Sequence, residues 1–122
     1  MLFGQKITVE TLEINHAYDH YLKHDDEIIL LCADENSKFD INHIEGAQCF
    51  PLRIIDKQAK EMLDPDYTYY IYAIREGTAF EATKKLLKLG FKAYSLGPQV
   101  DFKGPEEGLG MKKKRIYGKK KR

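Results

Sequence analysis

The chain has 122 residues, 43% of them apolar, and a formal net charge of +1. That size and apolar share suit one globular domain with an ordinary core. No run approaches the roughly 18 apolar residues of a membrane-spanning helix, and two cysteines are too few for a disulfide scaffold. The small net charge hides an asymmetry. Residues 111–122 (MKKKRIYGKKKR) hold eight Lys and Arg and no acid, which leaves 12 basic against 19 acidic residues, a formal −7, in the rest of the chain. An acidic body therefore carries a cationic tail. The expected division is a domain over residues 1–105 and a flexible basic tail over 106–122. The N-terminus lacks a charged-then-apolar signal pattern, so a cytoplasmic protein is expected.

Ile7 is expected to start the fold. Thr8 is placed to cap a helix over about Val9 to Lys23. Ile14, Ala17, Tyr18, Tyr21 and Leu22 fall on one side of that helix, and His16, His20 and His24 on the other. Histidines at i and i+4 can share a metal, but no further ligand of fixed geometry accompanies them, and a solvated polar face is the simpler reading. No cofactor or metal motif is found elsewhere. Asp25-Asp26-Glu27 turns the chain into Ile28-Ile29-Leu30-Leu31, a short apolar run that suits a central parallel strand. A loop with one helical turn follows over Glu35 to Asp40. His43 to Ala47 leads to a short strand, Gln48 to Phe50, stopped by Pro51. A helix over about Ile54 to Leu63 ends at the turn Asp64-Pro65-Asp66.

Tyr67 to Ala73 is aromatic and β-branched, which reads as a buried strand. Gly77 or Thr78 can cap the helix that follows, with Phe80, Thr83, Leu86, Leu87 and Leu89 as its apolar stripe. Ala73 to Ala79 is then a loop between the carboxyl end of a strand and the amino end of a helix, where open parallel sheets place their ligands. Gly90 is a helix C-cap, Ala93 to Leu96 a further strand, and Val100 and Phe102 are expected to pack a last short helix or turn. Alternating strands and helices with short links predict a mainly parallel central sheet of about five strands flanked by helices.

Four stretches in order resemble the rhodanese-like (sulfurtransferase) family. They are Ile7 to Leu12, Ile28 to Glu35, His43-Ile44-Glu45-Gly46-Ala47 with Pro51-Leu52, and Tyr70-Ile71-Tyr72 through Ala82, Leu86, Gly90-Phe91 and Ser95-Leu96-Gly97. The resemblance implies the rhodanese-like α/β fold. It also implies a loop beginning with a catalytic cysteine and carrying two arginines. In this sequence the loop is Ala73-Ile74-Arg75-Glu76-Gly77-Thr78-Ala79, so the cysteine position is Ala73 and the two arginine positions are Ile74 and Thr78. Cys32 and Asp34 stand where that family has Asp and Arg.

Sulfur transfer needs a thiolate that attacks the sulfur and carries it as a persulfide. Alanine has no lone pair to offer, and Glu76 places a negative charge where an anionic donor would approach. The expected function is a binding or regulatory module without sulfurtransferase activity. Its partner would be an unknown protein or a small anionic ligand at the loop. The alternative is a sulfurtransferase or thiol-dependent enzyme using Cys32 in place of the missing loop cysteine, with Cys49 read as a small core residue. The basic tail, 111–122, could bind nucleic acid, but without an aromatic stacking platform a solubilising end is the preferred reading.

Overall fold

The computed structural model describes residues 6–110. The basic segment 111–122 lies outside the described residues. Four parallel strands form the centre: β1 (Ile28–Cys32), β3 (Gln48–Cys49), β4 (Thr68–Ala73) and β5 (Lys92–Pro98), in the spatial order β3-β1-β4-β5. The helices are α1 (Ile14–Lys23), α2 (Asn36–Ile41), α3 (Ile55–Met62) and α4 (Glu76–Lys88). A separate antiparallel pair joins β2 (His43–Ile44) to β6 (Glu106–Glu107). Among the described residues, no helix is long and apolar enough to cross a membrane.

The two central strands are apolar along nearly their whole length because both sheet faces are covered. Side chains alternate between two cores, as the strand period of two requires. Tyr69, Ile71 and Ala73 point into the layer of α3 and α4, with Leu31, Ile55, Ala82 and Leu86. Tyr70 and Tyr72 point into the layer of α1, with Ile14, Tyr18, Leu30 and Leu96. Burial of each such Leu, Ile or Phe side chain contributes about 1.5–3 kcal/mol.

The expected fifth strand is reduced to a single parallel bridge between Thr11 and Ser95, flanked by Ser95 N–H to Glu10 O at 3.0 Å and Leu12 N–H to Ser95 O at 2.8 Å. That contact draws residues 10–12 to the edge of β5, so they cannot be the first turn of a helix. Helix α1 starts at Ile14 and not at Val9, and its cap is Glu13 and not Thr8. The Glu13 carboxylate accepts from the backbone N–H groups of His16 and Asn15, and these hydrogen bonds lower its pKa. Leu22, expected on the buried stripe, is 54% exposed.

Helix α4 differs from expectation in part. Thr83 and Leu86 are buried as expected and Leu87 and Leu89 pack against the core, but Ala79 and Ala82 complete the buried face and Phe80 is 43% exposed. Small side chains let the helix lie close on β4 and β5, and the Thr83 hydroxyl returns a hydrogen bond to Ala79 O. Gly90 closes the helix at φ 96°, as a C-cap requires. In the last turn, Gln99–Asp101, Phe102 packs inward but Val100 is 84% exposed. The fold runs past residue 105, since Glu106 and Glu107 pair with Ile44 and His43. The expected tail boundary therefore falls just before a paired strand that belongs to the fold.

The segment His43 to Ala47 is pinned from three sides. The Tyr72 hydroxyl accepts from Ile44 N–H at 2.9 Å, and the Tyr18 hydroxyl donates to Glu45 O at 3.0 Å. Glu107 lies across from His43 at 3.4 Å. Gly46 has φ 92°, a left-handed conformation that favours glycine, and a Cβ there would push the Tyr21 hydroxyl, 2.7 Å away, aside.

Candidate functional site

The carboxyl ends of β1 and β4 meet the amino end of α4. The connection is shorter than the seven-residue loop read from the sequence. Ala73 is the last residue of β4, only Ile74 and Arg75 link strand to helix, and α4 begins at Glu76. Arg75 takes the N-cap position in extended conformation with no side-chain hydrogen bond, so neither Gly77 nor Thr78 caps the helix. Ala73 is 0% exposed and belongs to the core shared with Ile55 and Ala79. Ile74 is 45% exposed, and Arg75, Glu76 and Gly77 also face solvent. Among the described residues, Arg75 forms no ion pair.

Asp34 organises this edge. It is buried, and its Oδ2 accepts the Ile74 N–H at 2.8 Å. The first amide of the connection, which would otherwise face an incoming anion, is thus held by the chain's own carboxylate. The same Oδ2 accepts the Cys32 thiol at 3.5 Å, and the Asp34 backbone carbonyl accepts the Cys49 thiol at 3.3 Å. Sheet register explains the gathering: Cys32 is paired with Tyr72 on one side and Cys49 on the other. The sequence places Asp34 near the loop, but no pattern of residue types announces that its carboxylate turns inward onto position 74.

Neither cysteine is poised as a nucleophile. Cys32 is 1% exposed, and burial pushes its thiol up to about 12. Cys49 is half-buried at the edge strand and is not a core residue as expected. Burial raises its thiol to about 11, with Asp40 and Glu35 adding to the effect. Both stay protonated at neutral pH, whereas the attacking species is the thiolate. The Tyr72 hydroxyl beside Cys32 is fully buried and its pKa is raised, mainly by burial.

In front of Asp34 lies an open cleft of about 370 Å³, whose lining includes Glu35, Arg53, Asp56, Thr78 and Lys85. Its charges are largely spent on each other. Arg53 Nε lies 2.9 Å from Glu35 Oε2, and Lys85 Nζ 2.6 Å from Asp56 Oδ2. The three histidines on and just after α1 are remote from this edge: the His20 and His24 rings lie 4.4 Å apart between centroids, tilted by 37°, and His16 is solvent-exposed. Among the described residues, no three His, Cys, Asp or Glu side chains gather as metal ligands.

No protein-family model and no curated protein sequence matches the chain. Solved structures do. The rhodanese-like domain of the Alr3790 protein from Anabaena sp. superposes with a TM-score of 0.69 at 21% identity, covering 82% of this chain and 83% of that one. A full-length protein from Lactobacillus plantarum gives a TM-score of 0.65 at 29% identity, over 80% and 88% of the two chains. A rhodanese from E. coli gives 0.58 at 18% identity, over 66% of this chain and 98% of that one. Strand order, helix layers and these superpositions agree: the chain has the rhodanese-like fold.

Proposed function

We propose that this chain is a rhodanese-like binding or regulatory module that does not transfer sulfur. One observation carries the reading: the position where the resemblance expects the nucleophile is a buried alanine, and the amide next to it is already occupied by Asp34. A donor such as thiosulfate would meet no thiolate, and it would approach the carboxylates of Asp34, Glu35 and Glu76. The two cysteines are held protonated, which also argues against Cys32 as a displaced nucleophile. The exposed Ile74, Arg75 and Glu76 are the side chains the connection offers to a partner protein, and with Asp34 in place a protein partner is favoured over a small anion. Two unpaired thiols suit a reducing compartment, so the cytoplasm is the proposed location.

The test is incubation with thiosulfate, with and without cyanide. Thiocyanate should not form above the rate without protein, and intact-protein mass spectrometry should show no added sulfur. A persulfide on Cys32 formed and discharged at catalytic speed would overturn the proposal.

A further inference from the structure

The amino ends of the parallel strands form the sheet edge opposite the connection, and another opening lies there. Its volume is about 370 Å³, and its walls come from the starts of β1 and β4, from β5 and from α1. Sheet register builds its aromatic side. Tyr70 and Tyr94 are paired on neighbouring strands and so stand on one face, where their rings meet edge to face at 5.9 Å between centroids. His20 of α1 lies over Tyr70 at 6.5 Å, inclined by 27°.

Polar groups converge on the same opening. Tyr70 is only 6% exposed, yet among the described residues its hydroxyl has no hydrogen-bond partner, whereas the hydroxyls of Tyr18, Tyr69 and Tyr72 are all bonded to backbone groups. A tyrosine buried to this degree normally satisfies its hydroxyl, so this one is placed to meet a group from outside. Glu10 and Glu27 also line the opening, and among the described residues neither forms an ion pair. No described Lys or Arg lines it. Lys92, paired with Thr68 at the strand ends, instead turns its Nζ to the backbone oxygen of Asp66 at 3.3 Å.

Two carboxylates, aromatic rings and an acceptor oxygen make up the chemistry of a cation site. Among the described residues no three His, Asp or Glu side chains gather as metal ligands, so the matching cation is an organic one, with apolar carbon beside its charge. We propose that this opening binds the ammonium group of an alkylamine, carried either by a free amine or by a lysine side chain of another protein. The ammonium donates to the Tyr70 hydroxyl and balances Glu10 and Glu27, and the alkyl carbons lie against Tyr94 and Leu12. The site is at the far edge of the sheet from the connection and does not depend on what the connection does.

The test is a titration of the full chain at pH 8 and low salt, read by backbone amide chemical shifts. The probes are butylammonium and 1-butanol, which has the same chain without the charge. Butylammonium should give saturable shifts around Glu27, Tyr70 and Tyr94, and 1-butanol should bind about tenfold more weakly. Two variants leave the packing in place: Glu10→Gln with Glu27→Gln at exposed positions, and Tyr70→Phe, which keeps the ring. The first should weaken butylammonium roughly fivefold and the second roughly threefold. Acetyl-lysine methylamide separates the two sources: tighter binding than butylammonium assigns the ammonium to a protein side chain, and weaker binding to a free amine. Equal affinity for butylammonium and 1-butanol would overturn the proposal. So would an affinity that neither variant changes, or the lack of any saturable shift with butylammonium.

Discussion

Asp34 decides what the carboxyl edge can do. A carboxylate that accepts from the Ile74 amide and the Cys32 thiol fills the place where an anion would otherwise be received. Backbone amides at a strand–helix junction normally acidify a thiol placed there. Here the same junction holds a fixed negative charge, and position 73 is fully buried. An Ala73→Cys thiol is therefore expected to titrate at or above the ordinary value of about 8.5. Adding Asp34→Ala removes the charge and frees the amide, so the pKa should fall. Iodoacetamide labelling rates against pH measure both. A single Ala73→Cys variant that titrates well below the ordinary value would show that Asp34 does not control the junction.

Helix α4 shows how an element can be recognised for a partly mistaken reason. Leucines and a phenylalanine at helical spacing mark the helix, yet the face it buries is built on Ala79 and Ala82, both 0% exposed. The close approach to β4 and β5 leaves no room there for more. Ala82→Leu should therefore destabilise the protein by about 1–3 kcal/mol through overpacking. Phe80→Leu, at a position 43% exposed, should stay within about 0.5 kcal/mol. Urea midpoints at constant m-value give both numbers. Equal effects at the two positions would mean that the helix does not sit as close as described.

The buried polar cluster links the stability of the whole molecule to pH. The Cys32 and Cys49 thiols lie at about 12 and about 11 in the folded chain, against about 8.5 when unfolded. A group whose pKa is higher folded than unfolded contributes stability that is complete below the unfolded value and lost as pH rises toward the folded one. Above about pH 8.5 the native state retains the thiol proton and the unfolded chain releases it, so ΔG of unfolding falls, by up to about 1.4 kcal/mol per pH unit for each thiol. The raised tyrosines, Tyr72 foremost, act in the same direction at higher pH. Urea unfolding between pH 8 and 10.5 should show this loss, and Cys32→Ala should show a shallower slope than the unaltered protein. An unchanged slope in that variant would remove Cys32 from the account.

Much of this chain was legible before any coordinates. The apolar run Ile28 to Leu31, the aromatic strand ending at Ala73 and the glycine at 90 carry local signals strong enough to place β1, β4 and a helix end. Their alternation implied the parallel sheet. Periodicity and backbone sterics act within a few residues, so sequence order preserves them. Other features came only with the assembled chain. Residues 10–12 became an edge contact because Ser95, more than 80 positions away, offered its backbone groups. Phe80 turned outward because α4 faces the sheet with Ala79, Ala82, Thr83 and Leu86, a phase that leaves position 80 off the buried side. Asp34 acquired its role by facing Ile74 across forty residues of sequence. Such partners are chosen by packing in three dimensions, and no local pattern of residue types encodes which distant amide a carboxylate will meet.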